Sequence, residues 1–118
     1  WETAPMALLE DQLTLVAANI ASATAMWLGW LAIFDRRDGY VSWGCRSTAH
    51  WLNWKCAMSS STAHEHVRVA LALETLPATR TAFGEGRLTY SKVRAISRVA
   101  TVDSDAELCR LGMAATAV

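Results

Sequence analysis

A run of 23 residues, Gln12 to Phe34, carries no charged side chain. Within it Trp27, Trp30, Leu31 and Phe34 recur at i, i+3, i+4 and i+7, one stripe of a helix. Ala is frequent in the first half, which lets neighbouring helices approach closely. The pattern predicts a helix over about 6–36 that ends at Arg36 and Arg37, whose cations suit the carbonyl end of the helix dipole. Asp38 and Gly39 then make a turn. The run is long enough to cross a bilayer. Gln12, Thr14, Asn19, Ser22 and Thr24 interrupt it, however, and the expectation is a long buried helix clasped by the others, with no membrane partner.

Tyr40 to Arg46 is an irregular segment, after which Ser47 caps a helix whose apolar side is Trp51, Leu52, the stem of Lys55 and Cys56. Met58 to Ser61 makes a polar turn with Ser59 as the N-cap; the spacing of Thr62 and Glu65 offers a competing capping box. On the following helix, at 100° per residue, Ser60, His64, Arg68 and Ser61 fall at about 0°, 40°, 80° and 100°, with Glu65 near 140°. Ala63, Val67, Ala70, Leu73 and His66 fall between about 220° and 340°, which places His66 on the core side and His64 on the open side. Leu71 and Glu74 break this sorting. Leu76-Pro77 ends the helix, a short helix runs through Phe83 and closes at Gly84 and Gly86, and Thr89 caps a helix from Tyr90 to about Ala100. Ser104 and Glu107 have capping-box spacing for a last helix that runs off the end.

The fold class expected is all-α: a compact multi-helix bundle with a long N-terminal helix and a helix-turn-helix-like unit. One domain spans residues 1–118, with a helix-turn-helix-like core over about 47–100 and a last helix from about 104 to 118. A weak internal echo supports two such units. Setting Met58-Ser59 against Leu88-Thr89 brings Ala63 onto Val93, His64 onto Arg94 and Arg68 onto Arg98.

Composition, rich in Ala, Leu, Val and Trp with two Pro, is that of a packed helical protein rather than a disordered one. The chain starts at Trp1 and stops in a helix-like run, which reads as an excerpt of a longer polypeptide. Net charge is zero but uneven: residues 1–35 hold four acids and no base, and residues 36–98 hold ten Lys/Arg against four acids. The positive middle is a footprint for a polyanion or an ordinary set of solvated helix faces. Cys45, Cys56 and Cys109 form no disulfide framework, and no signal-peptide pattern opens the chain. The expectation is a cytoplasmic protein with all three thiols acting as small core residues.

Catalytic chemistry is not expected within these residues. His64 and His66 point about 160° apart on one helix and cannot chelate one ion. Cys45, Cys56 and His50 lack zinc-site spacing, and no phosphate-binding glycine loop or nucleophile elbow is present. Neither metal nor cofactor is expected. For contact with duplex DNA the candidates are Ser60, Ser61, His64 and Arg68 on one helix, and Arg87, Ser91, Lys92, Arg94 and Arg98 around the other. Ser59 to Ser61 sit where free backbone N–H groups can hold a phosphate. Arg94 and Arg98, four apart, repel each other on a lone helix, which a polyanion or a local acid would relieve.

The runs FDRRDGYVSWGCRSTAHWLNWKCAMSSSTAHEHVRVALALETLP and AFGEGRLTYSKVRAISRVAT closely resemble an actinobacterial family, the domain of unknown function two-two-two, also called the thirteen-E-twelve repeat family. The resemblance covers about Leu28 to Ala115. Its motifs here are Phe34-Asp35-Arg36-Arg37, Arg46-Ser47, Trp51-Leu52, Glu65-His66-Val67-Arg68, Leu76-Pro77, Gly86-Arg87-Leu88 and Ser91-Lys92-Val93-Arg94. Members often carry an HNH nuclease domain after this region, which implies a DNA-related role; with that part missing, no catalytic role passes to any residue here. Where the family commonly has proline after the Ser59 cap, this chain has Ser60, which leaves the helix start intact. The resulting expectation is a DNA-associated, non-catalytic helical domain that positions a downstream nuclease or partner domain. The alternative is a helical scaffold for self-association or for packing on a downstream domain.

Overall fold

The computed structural model describes residues 1–115, which form six α-helices and one turn of 3-10 helix with no strand among them. The helices are α1 (Met6–Arg36), α2 (Thr48–Lys55), α3 (Ser60–Leu73), α4 (Pro77–Gly84), α5 (Tyr90–Val99) and α6 (Asp105–Ala114); the 3-10 turn is Val41–Trp43. The body measures 52 × 40 × 20 Å, so its thin dimension is about two helix diameters.

Local sequence signals set most helix ends. Ser47, Ser59 and Thr89 have extended backbones, and their hydroxyls accept from the N–H of His50, Thr62 and Lys92 at 3.1, 3.3 and 3.2 Å. Glu65 takes no part in capping α3. Pro77 opens α4, and Gly86, at φ 76°, closes it with bonds from Gly86 N to Phe83 O and Arg87 N to Ala82 O. A side chain at Gly86 would also strike α1, because a Cβ there lies 2.7 Å from the Ala18 carbonyl oxygen.

Ser104 departs from the capping-box expectation. Its backbone is helical (φ −97°, ψ −6°), so its hydroxyl turns back to accept from Thr101 N at 2.8 Å, while Glu107 pairs with Arg110. The last helix ends at Ala114 with Ala115 extended; the expected run to residue 118 otherwise lies outside the described residues.

The core is built where α3 meets α1, α2 and α5, and where α4 meets α1 and α6. Leu28, Leu52, Val69, Phe83, Leu88 and Val93 are fully buried at its centre, each worth roughly 1.5–3 kcal/mol of burial. The cap of α4 comes from far away in sequence. Leu76 precedes Pro77 and has no acceptor, and Asp105, the first residue of α6, fills the position. Its Oδ2 accepts from Ala78 N at 2.7 Å, and its Oδ1 accepts from Thr79 N at 3.1 Å and Thr79 Oγ1 at 2.6 Å. The carboxylate thereby satisfies α4's first-turn donors and sits at the positive end of its dipole.

Two expectations about burial are overturned. The first is that α1 is clasped by the other helices. In the structure the rest of the domain covers only one side of α1, from about Ala18 onward, so only Ala21, Leu28, Leu31 and Ala32 are buried, and the Trp27/Trp30/Leu31/Phe34 stripe splits, with Leu31 inside and Trp30 61% exposed. The second is that all three cysteines are core residues. Only Cys109 is; Cys45 is half-buried and Cys56 is exposed at the end of α2. Lys55 turns its ammonium over the rings of Trp43 and Trp54, 5.1 and 5.4 Å from their centroids. Glu74, which broke the sorting of α3, lies just past its last turn and pairs with Arg36 of α1.

Candidate functional site

Helices α3 and α5 pack side by side, and their basic residues meet at one acid. Glu65 Oε1 accepts from Arg68 Nε at 2.8 Å and from Arg68 Nη2. Arg94 Nε lies 3.4 Å from the same oxygen, and Arg98 Nη2 donates to Oε2 at 3.1 Å. The spacing of one helical turn puts Arg94 and Arg98 on one side of α5, facing the stripe of α3 that carries Glu65 and Arg68. The repulsion expected between Arg94 and Arg98 is thus relieved by a local acid. The hydrogen bond from Arg68 holds Glu65 below the ordinary carboxylate range; burial opposes this, and the charges of Arg68 and Arg98 reinforce it.

Arg68 also reaches Ser97 Oγ at 3.2 Å, which ties α3 to α5. It is therefore more buried than its place on the open arc implied, with 34% of the side chain exposed against 49% for Arg94 and 52% for Arg98. Three guanidiniums on one carboxylate leave two positive charges in excess and many N–H groups without a carboxylate partner.

Beside the cluster opens a cleft of about 270 Å³ lined by Ser61, Thr62, Glu65, His66, Tyr90 and Arg94. His66, expected in the core, forms part of its wall. Its ring stacks on Tyr90 with centroids 4.9 Å apart, meets Trp27 edge-on at 5.6 Å, and its Nδ1 donates to Thr62 O at 2.8 Å. Burial pushes the Tyr90 phenol above its ordinary range, and the Glu65 charge adds to this. The Tyr90 hydroxyl is buried with no hydrogen-bond partner among the described residues.

Of the sequence candidates, Ser61, Arg68, Arg94 and Arg98 come together here. Ser60 and His64 stand exposed on the outer face of α3, where His64 Nδ1 donates to Ser60 O at 2.8 Å. Ser91 is exposed. Arg87 and Lys92 belong elsewhere. Arg87 pairs with Glu85 and lies against Met113, while Lys92 Nζ donates to Gly112 O at 2.8 Å and to Ala115 O, closing the carbonyl end of α6. On α5, Lys92 points away from Arg94 because two residues rotate a helix by about 200°. Glu65, Tyr90, Thr62 and Ser97 were not among the candidates for contact that the sequence offered. Glu65 carried the one available signal, an acid three residues before Arg68.

Positions matched by the internal echo share environments. Ala63 and Val93 are both at 0% exposure, His64 and Arg94 are both exposed, and Arg68 and Arg98 both reach Glu65. The turns before both caps also contain a left-handed residue, Ala57 at φ 54° and Gly86 at φ 76°.

Among the described residues no three His, Cys, Asp or Glu side chains converge as a metal site would require. No curated protein and no solved structure matches this chain significantly. The family described as a domain of unknown function, DUF222, matches residues 6–118, nearly the full length and both helix pairs that frame the arginine cluster. The chain belongs to the DUF222 family.

Proposed function

We propose that this domain associates with duplex DNA through the phosphate backbone, using the α3–α5 surface, and that it positions a nuclease or partner domain without itself catalysing a reaction. The observation that carries the proposal is the arginine cluster: three guanidiniums share Glu65, and about half of the Arg94 and Arg98 side chains is exposed. A guanidinium has five N–H donors in a planar fork that suits phosphate oxygens. At the start of α3 the N–H groups of Ser60 and Ser61 precede the capped Thr62 N and have no acceptor within the helix. Ser61 lines the same cleft, which puts this helix start beside the arginines as a second source of donors for an anion. The excess of basic residues between positions 36 and 98 supplies longer-range attraction to a polyanion.

The test is fluorescence anisotropy with a duplex of about 20 base pairs across a salt series. Each phosphate contact contributes roughly 0.9 to the slope of log affinity against log salt, so the paired changes Arg94→Ala and Arg98→Ala should lower that slope by about 1.8. Arg110→Ala, on α6, should leave it unchanged. No binding at low salt, or the same slope in the double variant, would end the proposal.

A further inference from the structure

The exposed side of α1 has a period that the fold uses only in part. Written as a heptad, Met6, Leu9, Leu13, Val16 and Ile20 fall alternately at positions a and d. Ala23, Trp27, Trp30 and Phe34 continue the same 3–4 spacing, so all nine seam positions over four heptads are apolar. The residues that α1 buries in its own domain, Ala21, Leu28, Leu31 and Ala32, occupy b, e and f positions instead. Most of the seam faces outward: Met6 is 67%, Leu13 66%, Ile20 62% and Trp30 61% exposed, while Leu9, Trp27 and Phe34 are half-buried, Trp27 against His66 and Phe34 against Trp51. Its N-terminal flanks are polar or small, with Gln12 and Asn19 at g and Glu10, Ala17 and Thr24 at e. An apolar seam bordered in this way is the surface one helix presents to another.

We infer that α1 pairs with α1 of a second copy of this chain, in antiparallel orientation, through this seam. Charge selects the orientation. Glu2, Glu10 and Asp11 are the only charged side chains ahead of Asp35, so a parallel pair would set each copy's acids beside the other's with no cation at that level. Antiparallel pairing separates the two sets of acids, brings them toward Arg37 of the other copy and sets the two helix dipoles in opposition; Arg36 is already paired with Glu74 of its own chain. At that end Asp35 turns inward to accept from Thr48 Oγ1 at 2.6 Å and Asp38 lies exposed beside Arg37, so what antiparallel pairing gains is chiefly the separation of the two sets of acids.

Shape agrees with charge. The C-terminal end of the seam is hollow, with an apolar groove of about 200 Å³ walled by Trp27, Phe34 and Trp51, and a second of about 300 Å³ beside Trp30 and Gly39. The N-terminal end projects, with Trp1 71% exposed next to Met6. Reversed helices put the projecting end of each copy over the hollow end of the other. A lipid surface would also accept an apolar helix, and α1 is long and apolar enough to cross a membrane, but lipid imposes no seven-residue period. This pairing is independent of the arginine cluster.

Sedimentation of the whole chain over about two decades of concentration should show a reversible species of twice the 12.9 kDa chain mass. The seam variant Leu13→Glu/Ile20→Glu should sediment as a single chain with an unchanged helical circular dichroism spectrum. Leu15→Glu, exposed at a c position, should still pair. For orientation, Met6→Cys in a Cys45→Ser/Cys56→Ser background should not cross-link to itself under oxidation, because antiparallel seams separate the two thiols by about 40 Å. A chain that is monomeric at every concentration overturns the inference, as does loss of pairing in Leu15→Glu equal to that in the seam variant. Cross-linking at Met6→Cys overturns the orientation. Sedimentation with phosphatidylcholine vesicles in place of a soluble double-mass species assigns the face to lipid instead.

Discussion

Two carboxylates organise this molecule, and they are used in opposite ways. Asp105 is 3% exposed, and its two oxygens receive three donors, the N–H groups of Ala78 and Thr79 and the hydroxyl of Thr79. Each of those donors is buried or at a helix start and needs an acceptor. Glu65 is partly open to solvent and serves Arg68, Arg94 and Arg98. Three guanidiniums offer far more N–H groups than one carboxylate can accept. Matched donors and acceptors fix a structure, whereas a surplus of donors on an open surface can bind something else. A carboxylate among basic groups is thus read by its balance and burial, and not by its presence.

The sharpest way to break the comparison is to remove Asp105. Asp105→Ala strips the cap from α4 and leaves two backbone N–H groups and a hydroxyl without acceptors. The expected loss is about 3 kcal/mol, from one lost cap and buried donors left unsatisfied. The urea midpoint should fall with the slope unchanged, and Asp105→Asn, which keeps one oxygen, should recover part of the loss. A loss below about 1 kcal/mol in the alanine variant would mean that α4 does not depend on this cap.

Removing the charge of Glu65 should act more weakly on stability and should show itself through pH. The pKa of Glu65 is lowered in the folded state from an ordinary value of 4.5, chiefly by its hydrogen bond to Arg68. A depressed carboxylate contributes stability that is fully present above the unfolded value and is lost as pH falls through the folded one. Wild type should therefore lose stability more steeply below pH 4.5 than Glu65→Gln does. Identical acid limbs would show that the arginines do not depend on the carboxylate. At neutral pH the same variant should bind duplex DNA more tightly at low salt, since the acid that competes with phosphate is gone.

What was legible in the sequence followed chain distance. Caps at Ser47, Ser59 and Thr89 reach three residues ahead and need only local backbone, so they could be read directly, as could the ends of α1 from its charge-free run. Ser104 has the same spacing to Glu107, but its helical backbone turns the hydroxyl away from the first turn, and no residue count reveals that. The cap of α4 lies 27 residues from Ala78 and the partners of Glu65 lie up to 33 residues away, so both exist only once helices pack. A wheel placed Arg68 on the open arc but could not show its side chain bending over to Glu65 and Ser97, which leaves it half-buried. The same limit applies to α1: its apolar content pointed to a buried helix, yet the other helices cover only one side of it.

Tyr90 tests the comparison at its finest, because it lies at the edge of the cleft with a hydroxyl that is buried and unpartnered among the described residues. If the cleft is a surface held ready for a ligand, that hydroxyl contributes nothing to the fold on its own. Tyr90→Phe keeps the ring that stacks on His66 and removes only the oxygen. Leaving a buried polar group unsatisfied costs about 1–3 kcal/mol, so the variant should be as stable as wild type or more so by up to about 1 kcal/mol. Thermal melts of the two proteins measure this directly. A loss of more than about 2 kcal/mol would show that the hydroxyl does hold a partner in the folded protein. The α3–α5 cleft would then resemble the Asp105 site, a closed set of donors and acceptors, and the case for a phosphate there would rest on Arg94 and Arg98 alone.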